Sequence, residues 1–197
     1  SWRSRYLDEA LQRLYYDNSD GQPAKTQRVL RSDIGNELGQ SAVSAFLKEE
    51  DFLVPRYRGY AAMLGKGLSA ERIAAEVRQK RSGTAKGIGD VTPFKDPEHN
   101  IVGYSGVFGS NFSVVIGLAF AKKFKKEPGI IVQFFGDGEA SRTTFGGALN
   151  LASLWQLPIL FVCENNGVAL SMQFHEMSAT EPVAERAKGY NIPCEFV

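Results

Sequence analysis

Two apolar runs in this chain end in the same kind of punctuation. Gly129-Ile130-Ile131-Val132-Gln133-Phe134-Phe135 runs into Gly136-Asp137-Gly138, and Pro158-Ile159-Leu160-Phe161-Val162-Cys163 runs into Glu164-Asn165-Asn166-Gly167. Short apolar runs bounded by turn residues read as buried strands, and the segment between them reads as a helix. Strands and helices alternate from Asp51 onward, which predicts an α/β fold with a mostly parallel central sheet flanked by helices. Ligands of such sheets sit beyond the carboxyl ends of the strands. The carboxylate of Asp137 and the amide of Asn166 therefore face one crevice. Carboxylate, amide and carbonyl oxygens, with water and phosphate, make a magnesium site rather than a zinc site. Gly136 and Gly138 leave room for a phosphate to approach the backbone.

The chain has 197 residues, enough for one domain with a sizeable core. The expected organisation is a helical segment over 1–50 followed by the α/β core over 51–197. A net charge of +1 gives no electrostatic reason to expect nucleic acid or a membrane surface as partner. The two cysteines, Cys163 and Cys194, lie in or beside apolar runs and read as buried, reduced thiols, which favours a reducing compartment. Residues 101–121 and 143–163 lack charge, but their glycines, Asn111, Asn150, Gln156 and Pro158 suit buried helices of an α/β core better than the ~20 apolar residues of a membrane span. The opening Ser1-Trp2-Arg3-Ser4-Arg5 is followed by no apolar stretch of the secretory kind.

Helical spacing predicts helices over Leu7–Tyr16 and Asn36–Lys48, a third opening after Ser69 and running to about Lys80, and a buried one over Ser113–Lys126. Ser69 suits an N-cap, and Lys122, Lys123, Lys125 and Lys126 suit a solvated helix end that complements the dipole. Asn18 to Pro23 reads as a turn, Asp51 to Pro55 as a short strand, and Arg81 to Pro97 as loop. Tyr190 to Val197 has the look of a strand beginning.

The Gly136-Asp137-Gly138 and Asn165-Asn166 pair resembles the thiamine diphosphate signature. Asn150-Leu151-Ala152-Ser153-Leu154-Trp155-Gln156-Leu157-Pro158, followed by Glu164-Asn165-Asn166, narrows the resemblance to the alpha subunits of two-component 2-oxo acid dehydrogenases. These include pyruvate, branched-chain 2-oxo acid and acetoin dehydrogenases. The resemblance implies a thiamine diphosphate-binding fold, with magnesium held by Asp137, the side-chain oxygen of Asn166 and the carbonyl of Val168. It implies diphosphate contacts from Gly136, Gly138 and Glu139, with Glu164 at a neighbouring contact. Tyr57-Arg58 falls where the family places a diphosphate-binding pair, and an arginine fork suits phosphate.

The loop Val102 to Phe112 resembles the longer potassium-holding loop of the branched-chain enzyme. The resemblance implies potassium on Ser105, the carbonyl of Val107, Ser110 and Asn111, and contact of Gly106 and Phe108 with the aminopyrimidine ring. Phe108 and Phe112 suggest a small 2-oxo acid, whereas the loop length suggests a branched one. Implied partners are a beta subunit in a heterotetramer, a lipoyl-bearing acyltransferase and a small 2-oxo acid, in bacterial cytoplasm or the mitochondrial matrix.

Some positions depart from the family. Thr92 or Pro93 stands where a histidine is common. Gly146-Gly147 replaces a glutamate and should weaken its helix. Glu139-Ala140-Ser141-Arg142-Thr143 follows Gly138 where small residues are usual. His99 and His175 match neither catalytic histidine, so no catalytic residue is assigned, and in the family considerable sequence follows the position of Val197. Two alternatives therefore stand beside oxidative decarboxylation with acyl transfer to lipoyl. One is a degenerate, non-catalytic homologue with a structural or partner-binding role; the other is a different thiamine-dependent enzyme of acetoin-cleaving or transketolase-like type.

Overall fold

The computed structural model describes residues 2–16, 30–88 and 94–197. They divide into two compact units, Ser1–Gly106 and Val107–Val197. The expected turn at Asn18 to Pro23 and the Thr92/Pro93 position lie outside the described residues.

In the first unit, α1 (Trp2–Tyr16) begins earlier than its apolar spacing suggests, and α2 (Glu37–Ser44) is shorter than expected. The strand β1 (Phe52–Val54) is followed by α3 (Tyr60–Gly65), a short helix with no sequence signal of its own. Next comes α4 (Ala70–Val77), whose N-cap is Ser69 as expected; the Ser69 hydroxyl accepts the Arg72 N–H at 3.3 Å. Buried carboxylates organise the irregular segments. Asp8 on α1 accepts the Asp33 N–H, the Gln12 amide at 3.0 Å and the Ser32 hydroxyl at 3.3 Å. Glu76 on α4 accepts the Ala85 and Gly87 N–H groups at 2.7 and 3.4 Å, which shapes the loop after α4. A 3-10 turn (Pro97–His99) precedes Ile101, which bridges Leu53 of β1 in parallel.

The second unit is built on α5 (Ser110–Lys125), β2 (Ile131–Gly136), α6 (Asp137–Ala140), α7 (Thr143–Leu154) and β3 (Ile159–Glu164). The strands β2 and β3 pair in parallel, from Ile131 opposite Ile159 to Gly136 opposite Glu164, with α7 as the crossover. Phe112 of α5 and Phe145 of α7 pack with Phe135 and Phe161 of the strands, ring centres 5.0 to 6.5 Å apart, and this aromatic layer is the core of the unit. Phe112 thus fills the core and does not line a substrate pocket, contrary to the reading above. A hairpin of β4 (Val168–Ala169) and β5 (Met172–Gln173) follows, then α8 (Phe174–Met177) and α9 (Glu185–Lys188).

Four further expectations are corrected. β2 is buried throughout, but β3 is only partly covered, with Leu160 exposed. Cys163 and Cys194 form no disulfide and are half-buried rather than buried. Residues 192–197 are irregular, not strand, since they make no ladder hydrogen bonds. Of the lysines at the end of α5, Lys122 is buried and Lys123 donates to the carbonyls of Trp155 and Gln156, at 2.6 and 3.3 Å, capping the end of α7. No helix among the described residues is long and apolar enough to cross a membrane.

The two glycines of α7 do not break it. A Cβ on Gly146 would lie 2.9 Å from the Tyr190 hydroxyl oxygen, so the missing side chain is space taken up by the turn after α9.

Candidate functional site

The register of β2 and β3 brings both punctuation sequences to one edge of the second unit. Gly136 pairs with Glu164, so Asp137 and Asn165-Asn166 leave the sheet side by side. Asp137 opens α6 and is only 2% exposed. Asn165 and Asn166 are exposed, and each folds its side chain into its own turn. The Asn165 oxygen accepts the Gly167 N–H at 2.9 Å, and the Asn166 oxygen accepts the Val168 N–H at 3.2 Å. An amide oxygen has a second lone pair, so the Asn166 turn fixes this oxygen without consuming it. The two sequences also meet through packing: a Cβ on Gly138 would stand 2.6 Å from that of Ala169, directly after Val168. Glycine at 138 is what lets the β4 segment close onto the Gly-Asp-Gly turn.

Glu139 does more than its sequence context suggests. Its side chain is buried, and it accepts the Gly109 N–H at 3.1 Å. Gly109 is the residue before α5 and has φ +87, where a side chain would be strained and its Cβ would lie 2.6 Å from the Thr144 hydroxyl oxygen. Glu139 therefore holds the start of α5 against the turn carrying Asp137, and its negative charge suits a helix N-terminus. Glu164 ends β3 half-buried.

Of the residues matched to a potassium loop, Val107, Ser110 and Asn111 belong to the second unit, and Ser105, like Gly106, to the first. The Ser110 hydroxyl donates to the Val107 carbonyl at 2.8 Å, so these two oxygens are in contact; Asn111 is buried on the first turn of α5. Phe108 is half-buried and Gly106 exposed.

Tyr57 and Arg58 lie in the first unit, just past β1. An Arg58 N–H donates to the Tyr57 hydroxyl, another to the Ser32 carbonyl at 3.5 Å, and the Tyr57 ring meets Tyr104 edge-on at 5.6 Å. Two residues that sequence reasoning missed join them. The guanidinium carbons of Arg31, Arg56 and Arg58 stand 5.0, 5.5 and 4.7 Å from the centre of the Tyr57 ring. Arg56 is next to the recognised pair, but no spacing or motif marks Arg31.

A third cluster, Asp96, Glu98 and His99, has the residue types of a metal site. It already contains a cation: Arg72 donates to Asp96 at 3.0 Å and lies 3.6 Å from Glu98, while the His99 ring meets the other Asp96 oxygen at 2.6 Å. It is an ion-pair network.

Parallel strands joined by a helix, with a carboxylate and an amide at aligned strand ends, define an α/β protein built to place oxygen ligands at the edge of its sheet. The chain belongs to the dehydrogenase E1 component family, whose model matches residues 17–197. The alpha subunit of acetoin:2,6-dichlorophenolindophenol oxidoreductase from Bacillus subtilis is 35% identical over 159 residues, 81% of this chain and 48% of that one. The alpha subunit of the pyruvate dehydrogenase E1 component from Zymomonas mobilis is 34% identical over 165 residues, 81% and 47% of the two chains. The mitochondrial counterpart from Solanum tuberosum is 34% identical over 159 residues, 81% of this chain and 40% of that one. The chain thus spans about half the length of the curated relatives it matches. A solved structure described as a putative thiamin diphosphate-dependent enzyme from Mycobacterium smegmatis aligns with 88% of this chain and 29% of its own, with a TM-score of 0.51 at 18% identity. That likeness is one of fold, and it agrees with an α/β architecture around a parallel sheet.

Proposed function

We propose that this chain is the cofactor-holding part of the alpha subunit of a 2-oxo acid dehydrogenase, which decarboxylates a 2-oxo acid oxidatively and passes the acyl group to a lipoyl carrier. The observation that carries the reading is the shared edge of β2 and β3, where a buried carboxylate and two asparagine turns emerge in register within a chain of this family. The donor set fits the group. Asp137, the Asn166 oxygen and the Val168 carbonyl are hard oxygen ligands of the kind magnesium takes together with phosphate. Gly136 and Gly138 present backbone without side chains, and Glu139 and Glu164 flank them. When bound, thiamine diphosphate supplies the carbanion chemistry needed to release carbon dioxide from a 2-oxo acid.

This chain's own residues bind and orient. Asp137 offsets metal charge from a buried position, where the charge is weakly screened. Glu139 keeps the start of α5, with Phe108 and Ser110, fixed relative to Asp137. Tyr57 and Arg58 supply phosphate donors, and Ser105, Val107, Ser110 and Asn111 supply oxygens suited to potassium. The reading carries with it a beta subunit, completing a heterotetramer, and a lipoyl-bearing acyltransferase as partners. The name of the Bacillus subtilis relative supports a second reading, in which the same site acts on acetoin rather than a 2-oxo acid.

The test is a calorimetric titration of thiamine diphosphate into the full chain with magnesium, alone and with a candidate beta subunit, for wild type and Asp137→Ala. Metal-dependent binding that Asp137→Ala abolishes supports the site. Activity of the assembled subunits on 2-oxo acids with a lipoyl acceptor, against acetoin with an artificial acceptor, separates the two readings. Absence of binding in both settings would overturn the proposal.

A further inference from the structure

We propose that the C-terminal ends of α5 and α7 form a docking groove for a partner protein, one that presents an amphipathic helical segment with apolar anchors and acidic flanks. The proposal goes beyond the cofactor reading and does not depend on it. Gly109, at the start of α5, is bonded to Glu139 two residues past Asp137. The groove lies at the other end of this 16-residue helix, on the order of 20 Å away at about 1.5 Å per residue.

Phe120, Lys123 and Phe124 of α5, with Leu154, Trp155 and Gln156 at the end of α7, line a cleft of about 380 Å³. Phe124 is 79% exposed, Leu154 68%, Phe120 45% and Trp155 39%. Apolar residues exposed singly are ordinary, but an apolar group sharing one cleft, most of it aromatic, marks a contact surface. The cleft is also shaped in advance. Phe120 stacks on Phe124 with ring centres 6.3 Å apart and leans on Trp155 at 5.2 Å. Lys123 ties the walls together by donating to the Trp155 and Gln156 carbonyls. Side chains already held in place lose little further freedom when covered, which favours binding.

Charge selects the occupant. From Val107 to Cys163 the acidic residues are Glu127, Asp137 and Glu139. Asp137 and Glu139 are buried at the far edge of β2. Of this stretch, Glu127 alone therefore sets a carboxylate against the exposed Lys123, Lys125 and Lys126 at the groove. Lys125 and Glu127 approach to 3.7 Å, and both remain exposed. The rim is thus basic in a chain whose net charge is only +1, and it attracts an acidic partner. A second copy of the chain fits less well, because it would bring the same lysines to the contact. A membrane surface also fits less well. Side chains that enter a bilayer project from a helix face, whereas these rings pack on one another around a recess. A recess between two helix ends suits the apolar side chains of a helix laid across it.

The probe is a synthetic amphipathic helix with Leu and Phe on one face and Glu on the other, titrated against the full chain by fluorescence anisotropy. The same peptide with Lys in place of Glu is its counterpart. The Glu peptide should bind saturably, and more weakly as salt rises. The Lys peptide should bind about tenfold more weakly or worse. In a Trp2→Phe background Trp155 is the sole tryptophan, and its emission should shift to the blue as the groove is covered. Phe124→Ala and Leu154→Ala should each weaken the Glu peptide by about tenfold or more, as truncated anchors do. Leu170→Ala, on the exposed hairpin beside the Asp137 turn, should bind as wild type does. Lys125→Glu combined with Lys126→Glu should reverse the preference between the peptides, and it keeps the test open should an apolar variant fail to fold. Thermal melts verify folding. No binding, equal binding of both peptides, or a folded Phe124 variant that binds as wild type does would overturn the proposal. So would a wild-type dimer that Phe124→Ala dissociates in sedimentation velocity, which assigns the groove to a second copy. Capture by phosphatidylserine vesicles without binding of the Glu peptide would overturn it in favour of a membrane. None of these readouts involves thiamine diphosphate, so failure here leaves the cofactor reading standing.

Discussion

Tyr60 offers a test of the first unit in which the hydroxyl can be removed with little else. Its side chain is fully buried at the start of α3, its ring meets Phe94 edge-on at 5.9 Å, and its hydroxyl has no hydrogen-bond partner among the described residues. Burying a hydroxyl without a partner costs about 1–3 kcal/mol. Tyr60→Phe removes that cost, keeps the ring contacts, and leaves a void of one atom, worth on the order of 0.5 kcal/mol. The expected net effect is a stabilisation of about 1 kcal/mol, or ~2–4 °C in Tm for a chain of this size.

A second, independent signature follows from ionisation. Burial, helped by the charges of Asp8 and Asp33 and opposed by Arg58 and Arg31, raises the Tyr60 phenol well above its usual range. A raised folded value means that its contribution is fully present below the unfolded pKa of about 10 and is lost as pH rises beyond it. The gap between variant and wild type should therefore widen above pH ~10 in favour of Tyr60→Phe. Thermal denaturation followed by circular dichroism from neutral to strongly alkaline pH reads both effects. A variant that melts below wild type at neutral pH, or a gap that stays constant into alkali, would refute the account.

Gly146→Ala should stabilise by less than the ~1 kcal/mol that alanine gains in a helix, because its Cβ would sit 2.9 Å from the Tyr190 hydroxyl oxygen and the end of that side chain must shift; urea midpoints should show the fuller gain in the double variant with Tyr190→Phe. Glu139→Ala should cost about 1–3 kcal/mol by orphaning the Gly109 N–H. Glu139→Gln keeps an acceptor and should lose less, and hydrogen exchange at Gly109 should accelerate in the alanine variant. Arg5 bonds Glu37 and is the main reason that carboxyl is held below the usual glutamate range, opposed by burial and aided by the Glu37 and Gly35 backbone N–H groups. The lowered folded value makes this stabilisation present above the unfolded pKa of about 4.3 and lost as pH falls through the lower folded one. Melts of wild type and Arg5→Met should therefore differ near neutrality and converge in acid.

The parallel βαβ unit was legible because apolar runs, their lengths and their glycine punctuation are local properties. The N-cap at Ser69 was legible for the same reason. What escaped depends on contacts between residues far apart in sequence. Arg31 carries no local pattern; its place follows from the buried Asp8 of α1. Gly146 read as a weak point because the space it leaves for Tyr190 is invisible in sequence. Glu139 read as a departure, whereas its side chain anchors the turn before α5. Residues 192–197 are apolar enough for a strand, but a strand also requires a neighbour to bond with. The cysteines sit in apolar runs, yet burial depends on what covers a strand, and β3 is covered on part of its length.

The contact between Gly138 and Ala169 amounts to a joint volume quota. With a Cβ at 138 only 2.6 Å from the Cβ of 169, the two positions can hold one methyl between them. Either could carry it while the other stayed bare, so sequence drift at one is conditional on the other. An alanine acquired at 138 would be accepted where 169 has first become glycine, and the opposite order of events would push β4 away from Asp137.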